Sequence, residues 1–288
     1  MAKNCFRLVA AMLALAFPAL SAAATEQPGY ATSWLSEQMS RVRMIGGAAP
    51  GRDGRPQAFA GLEIALDEGW KTYWRNPGSS GVPPFVELKD SSNVAAIKVL
   101  FPAPKRFTGR DGDTIGYKHH VILPIEIEPK DPARPVVLAV AVEFGICKDI
   151  CIPAQANLAL SLPARAEMKP AGRALGAALS RVPRAGVAGN NDPRLESVKI
   201  TLSGKHPSVL LNVRFPGEAS HADIFLEAPD GSWIPSPRRD GIAADGSRRF
   251  KVDLTQGADL ADLKGREIRV TMIGEKGQSE TQFKFEAN

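Results

Sequence analysis

Val136-Val137-Leu138-Ala139-Val140-Ala141-Val142-Glu143-Phe144-Gly145-Ile146-Cys147 is followed by Lys148-Asp149-Ile150 and then by Cys151-Ile152-Pro153-Ala154-Gln155-Ala156-Asn157-Leu158-Ala159-Leu160-Ser161-Leu162. In the first run the even positions from Val136 to Ile146 are all large and apolar. The odd positions carry Ala139, Ala141, Glu143, Gly145 and Cys147. In the second run Ile152, Leu158, Leu160 and Leu162 are even, while Cys151, Gln155, Asn157 and Ser161 are odd. A period of two is the signature of a half-buried strand, so the stretch predicts two strands joined by a three-residue loop. That register sets Cys147 against Cys151 and Ile146 against Ile152, with both apolar sets on one side. Directly opposed residues have Cα atoms ~4.5–5.5 Å apart, within reach of a disulfide.

Working outward, strand-like alternation also appears at Leu62, Ile64 and Leu66, at 96–101 and at 120–127, separated by turns bearing Pro and Gly. Between them lies Gly69-Trp70-Lys71-Thr72-Tyr73-Trp74-Arg75-Asn76-Pro77-Gly78, which runs from strand chemistry into turn punctuation. Near 168–182 the period changes: Leu175, Leu179 and Val182 stand at i, i+4 and i+7 between Pro170 and Pro183, predicting a short amphipathic helix. Six more strand patterns follow after 193. The expected fold is therefore all-β, with two immunoglobulin-like β-sandwich domains joined by a short helix and linker. The expected boundaries are 25–166 for the cysteine-bearing sandwich, 167–193 for helix and linker, and 194–288 for the second sandwich.

The N-terminus has Lys3 and Arg7, an apolar run from Leu8 to Leu20, and then Ser21-Ala22-Ala23-Ala24. This pattern predicts a secretory signal peptide over 1–24, because the apolar run falls short of the ~20 residues a membrane span needs. Cys5 would leave with it, and no lipobox precedes a cysteine. The expected product is exported, with no stable membrane insertion after cleavage. Its formal charge falls from +5 to +3, with Lys and Arg scattered among Asp and Glu. Arg238-Arg239 and Arg248-Arg249 read as solvated surface, so no nucleic-acid partner is expected.

Two remaining cysteines do not make a disulfide framework, which leaves a structural staple, a redox pair or a metal site. A bridge closing so short a loop adds little chain-entropy stabilisation, and both sulfurs are expected on the more polar face. The pair is not a thioredoxin motif, since three residues separate the cysteines and no helix follows to favour a thiolate. It therefore reads as a relay whose reaction depends on a partner thiolate. For metal, adjacent strand residues His119 and His120 point to opposite faces and no second cysteine pair exists, so no metal ligand set and no cofactor are expected. Asp111-Gly112-Asp113-Thr114-Ile115-Gly116 starts like a calcium loop but has Ile115 and Ile122 where oxygen ligands are required, so it reads as a turn. No serine elbow or phosphate loop supports a hydrolase or a nucleotide site. Trp70, Tyr73 and Trp74 read first as core, and secondly as shields for a disulfide.

Together, 69–78, Phe101-Pro102-Ala103-Pro104, Gly116-Tyr117 before Val121-Ile122-Leu123-Pro124, and Cys147 to Pro153 resemble the N-terminal periplasmic module of the DsbD and ScsB thiol:disulfide interchange proteins. The resemblance spans about Trp34 to Leu162 and weakens over the second sandwich. It implies an immunoglobulin-like module in the periplasm whose redox-active center, Cys147 and Cys151, relays electrons from a membrane-embedded thiol-disulfide reductase to thioredoxin-like or other disulfide-bearing periplasmic proteins. It also implies that Cys151 attacks and that a cap loop covers the pair. By motif position the cap falls within 111–117, with Tyr117 as its aromatic residue and Asp113, Tyr73 and Trp74 as further cap or shielding residues. The three-residue spacing resembles ScsB-like relatives. The chain ends at Asn288 with no multi-helix membrane domain and no thioredoxin-like domain, so a separate donor is expected. The competing reading is a non-enzymatic adaptor or metal-handling protein whose hairpin disulfide is structural.

Overall fold

The computed structural model describes residues 30–51, 54–109, 112–186 and 189–286. The signal-peptide reading, Cys5 and Asp111 lie outside the described residues.

The first sandwich contains strands β1 (Tyr30–Ala31), β2 (Leu35–Glu37), β3 (Ser40–Pro50), β4 (Pro56–Leu66), β5 (Lys71–Gly78), β6 (Phe85–Leu88), β7 (Val94–Val99), β8 (Lys105–Gly109), β9 (Gly112–Lys118), β10 (His120–Pro129), β11 (Val136–Cys147) and β12 (Cys151–Leu162). One sheet runs β1-β3-β4-β10-β7 with β2 beside β3, and the other runs β12-β11-β5-β9-β8 with β6 beside β11. Their facing sides interdigitate in one core that includes Met44, Leu62, Ile64, Leu123, Leu138, Phe144 and Leu160. The segment before Ser40 contributes β1 and β2, both paired with β3.

Helix α1 (Arg173–Ser180) is shorter than the sequence pattern suggests and is no spacer. Its buried Leu175 and Ala178 pack on Ile45, Phe59 and Ile122, capping the outer side of the first sheet. The chain then enters the second sandwich as β13 (Arg184–Ala185). This is followed by β14 (Arg194–Thr201), β15 (Ser208–Arg214), β16 (Asp223–Glu227), β17 (Arg238–Ile242), β18 (Arg248–Asp253), helix α2 (Leu260–Leu263), β19 (Glu267–Ile273) and β20 (Gln278–Lys284). Its sheets are β13-β20-β19-β16 and β14-β15-β18-β17. Strand β17, made of Arg238-Arg239-Asp240-Gly241-Ile242, gave no hydrophobic alternation because every residue in it is exposed.

The two sandwiches are joined by apolar and ionic contacts. Phe225 of β16 enters the first core, tilted against the fully buried Trp74 ring at 5.5 Å. Arg75 forms a two-pronged pair with Glu227 (2.9 and 2.7 Å), pairs with Glu280, and lies 4.4 Å over the Trp74 ring. Nearby, Arg106 donates to Asp223 (2.8 and 2.9 Å) and to Asp113 (2.8 Å), and Arg238 reaches Asp113 at 3.1 Å. Desolvation alone would ease the Arg75 proton off, but Glu227 and Glu280 more than offset it and hold the guanidinium firmly charged.

Candidate functional site

Strands β11 and β12 pair without a bulge from Val136↔Leu162 to Cys147↔Cys151, with Ile146 opposite Ile152. The unbroken even-position hydrophobic set excludes a slip by one, which would turn the apolar side of one strand outward. Cys147 and Cys151 are joined as a disulfide across the end of the ladder, with Cα atoms 4.2 Å apart.

The two sulfurs are not equivalent. Cys151 is exposed, whereas Cys147 retains 8% of its surface. Along the odd face of β11, exposure persists to Glu143 and stops at Gly145 and Cys147. The cover comes from β5 and the segment that follows it. Residues 79–84 fold back across the sheet, and the Gly145 N–H donates to the Val82 carbonyl at 3.1 Å. Between them lies the Tyr73 ring, 1% exposed. A Cβ on Gly145 would sit 2.9 Å from the ring and 3.0 Å from the Val82 oxygen. Gly81 closes the other side of the ring with φ +139°, a conformation that suits glycine. Only glycines at 81 and 145 leave a slot of this width.

The Tyr73 hydroxyl ends 2.9 Å from Cys151 Sγ. Burial pushes the phenol above its ordinary range, so it stays protonated near neutral pH and is the donor in this pair. A donor at that distance stabilises negative charge on Cys151 in the reduced protein.

The expected cap residues separate in space. Tyr73 reaches the pair through its hydroxyl. Tyr117 does not: it sits opposite Thr72, whose parity matches Ile146, so its ring enters the core and its hydroxyl donates to the Pro102 carbonyl at 2.8 Å. Trp74 is one residue out of phase with Tyr73 and belongs to the core and the junction with Phe225. Asp113 is 2% exposed and is committed to Arg106 and Arg238, whose charges hold its carboxyl below the usual range against the opposing effect of burial. The described part of 111–117 lies in β9, two strands from β11 in sheet order.

Other residues near the pair carried no sequence signal. Lys71 of β5 stands beside Cys147, and Lys118 of β9 stands beside Lys71, so Cys151, Cys147, Lys71 and Lys118 form one cross-strand row. Both lysines lie over the Phe107 ring, at 6.0 and 4.7 Å. His119 occupies a left-handed turn position at φ +66°, and His120 bonds Glu63 at 2.8 Å, away from the cysteines.

Residues 55–163 match the family described as thiol:disulfide interchange protein DsbD, N-terminal. The DsbD match runs from the turn before β4 to the end of β12 and takes in both cysteines, Tyr73 and the covering segment. The resemblance read from the motifs holds for that stretch. The fold as a whole is similar to a crystal structure of the N-terminal periplasmic domain of ScsB from Proteus mirabilis. The TM-score is 0.66 at 22% identity, over 90% of this chain and 99% of that one. Both sandwiches thus fall within a shared all-β, immunoglobulin-like fold. A comparison with curated proteins found no match.

Proposed function

We propose that this protein is an exported, periplasmic thiol-disulfide interchange protein that relays electrons through Cys147 and Cys151. In this reading a membrane-embedded thiol-disulfide reductase supplies the electrons, and thioredoxin-like or other disulfide-bearing proteins receive them. The single observation that carries this is the asymmetry of the pair: an exposed residue Cys151, its sulfur 2.9 Å from the Tyr73 hydroxyl, bonded to a buried residue Cys147. The DsbD match over the same residues supports it.

During loading, a donor thiolate attacks Cys151 Sγ; the Cys147–Cys151 bond breaks and its electron pair leaves on Cys147. The donor's second thiolate then displaces Cys151. The donor dithiol becomes a disulfide, and this protein takes up two electrons and two protons. During delivery the reduced Cys151 thiolate, held by Tyr73, attacks the acceptor disulfide. Cys147, 4.2 Å away at Cα, then attacks Cys151 within the same chain, which requires no access from outside.

Single-cysteine variants test this. Cys147→Ala is expected to accumulate reducible covalent adducts with periplasmic disulfide proteins, because the resolving sulfur is gone. Cys151→Ala, whose remaining thiol is buried, is expected to accumulate far fewer on the same non-reducing gel. No adduct from either variant would contradict the relay.

A further inference from the structure

The row that begins with the disulfide continues into a basic surface. Lys71 lies one strand from Cys147 and Lys118 two strands away, so the Lys118 backbone is about 10 Å from that of Cys147. Lys105, opposite Gly116, projects from the same face. Among the described residues none of these lysines pairs with a carboxylate. Lys71 instead donates to Thr114 at 3.3 Å, and its ammonium is destabilised by burial and then by Lys118. The surface runs into a cleft of about 440 Å3 between β8, β9 and α1, lined by Lys105, Phe107, Lys118, His119 and Arg181 among others, with no aspartate or glutamate among the described residues of its lining. The acids closest to the row in sequence, Glu68 and Asp149, are exposed in turns, Asp149 in the loop that joins the two cysteines. Elsewhere this chain pairs its partly buried arginines, as at Arg75 and Arg106. An unneutralised lysine cluster beside a reactive disulfide therefore stands out.

We propose that the β8–β9 face and its cleft form the docking surface for an acidic segment of the partner protein flanking that partner's reactive cysteine. This rests on the relay reading above. The carboxylates would lie along Lys71, Lys118 and Lys105 while the partner thiolate attacks Cys151 Sγ; the new bond joins the partner sulfur to Cys151, and the electron pair of the broken bond goes to Cys147. Complementary charge acts mainly on the encounter and is screened by salt.

The test uses three synthetic cysteine peptides of equal length, flanked by glutamates, serines or lysines. Each reacts with the oxidised full chain, and mixed-disulfide formation is expressed per thiolate. The glutamate peptide is expected to react about three- to ten-fold faster than the serine peptide at low ionic strength, and the lysine peptide more slowly. The preference should collapse in about 0.5 M salt. The double variant Lys105→Glu/Lys118→Glu, at exposed positions, should invert the order. Equal rates for the three peptides, or an order unchanged in the double variant, would overturn the docking surface and leave the relay standing. Failure of every peptide to form a mixed disulfide would overturn both.

Discussion

Arg75→Met should lower the urea midpoint of unfolding by an amount equivalent to about 2–5 kcal/mol, and separate the unfolding of the two sandwiches into distinguishable steps. The guanidinium is the cation between Glu227 and Glu280, lies over the Trp74 ring and donates to the Thr271 hydroxyl. Methionine fills much of the volume but leaves two largely buried carboxylates, 12% and 15% exposed, without the guanidinium that lay between them. Removing one partner of such a group costs more than the group contributes relative to an apolar replacement. The sign can therefore be checked internally. Adding Glu227→Gln and Glu280→Gln to Arg75→Met should recover part of the loss, because the orphaned charges go too. Far-UV circular dichroism and tryptophan fluorescence along the same urea series report the two steps. Trp74 lies at the junction, so its signal should change with the first. An Arg75→Met protein as stable as wild type would show that the junction is held by its other contacts, Phe225 against Trp74 and the Arg106–Asp223 and Arg238–Asp113 pairs.

Tyr73→Phe should shift the pH profile for alkylation of reduced Cys151 upward by about one pH unit, with little change in stability. The ring that fills the slot between Gly81 and Gly145 is kept, and only the hydroxyl 2.9 Å from the sulfur is lost. A hydrogen bond to a charged acceptor contributes about 1.5–3 kcal/mol, and 1.36 kcal/mol corresponds to one pKa unit. The direction follows from the donor's protonation: burial keeps the phenol protonated, so it stabilises the thiolate, and its removal favours the thiol. At neutral pH the exchange rate should fall by less than the thiolate fraction does, about three-fold for a ten-fold loss, because a more basic thiolate is a better nucleophile. A profile unmoved by the substitution would mean that Tyr73 only covers the pair.

The hairpin was legible because its register is set by a face pattern within twenty-seven consecutive residues, and a slip by one would expose Val140, Val142 and Phe144. Burial at the end of β11 was not legible, since Tyr73 and Val82, which meet Gly145 there, are more than sixty residues away in sequence. The same parity rule that worked for the cysteines would have separated Tyr73 from Trp74 and Tyr117 had the pairing of β5 with β9 and β11 been known. Asp113 was misassigned for another reason. Its partners Arg106 and Arg238 come from another strand and another domain, so a carboxylate that looks like part of a surface turn is sealed at a junction. Arg238 and Arg239, read as solvated surface, prove to be engaged with Asp113 and with the Ser220 and Ala222 carbonyls. The lysine row leaves no trace in one dimension because Lys71, Lys105 and Lys118 become neighbours only through sheet order.

Equilibrating the full chain with glutathione buffers and quantifying Cys147 and Cys151 by alkylation measures the reduction potential of the pair. A relay must be reducible by its donor and able to pass electrons on, which places its potential above about −300 mV, in the range of exchange-active protein disulfides. A value below about −300 mV, where structural disulfides resist reduction, would contradict the account and make the hairpin bridge a staple.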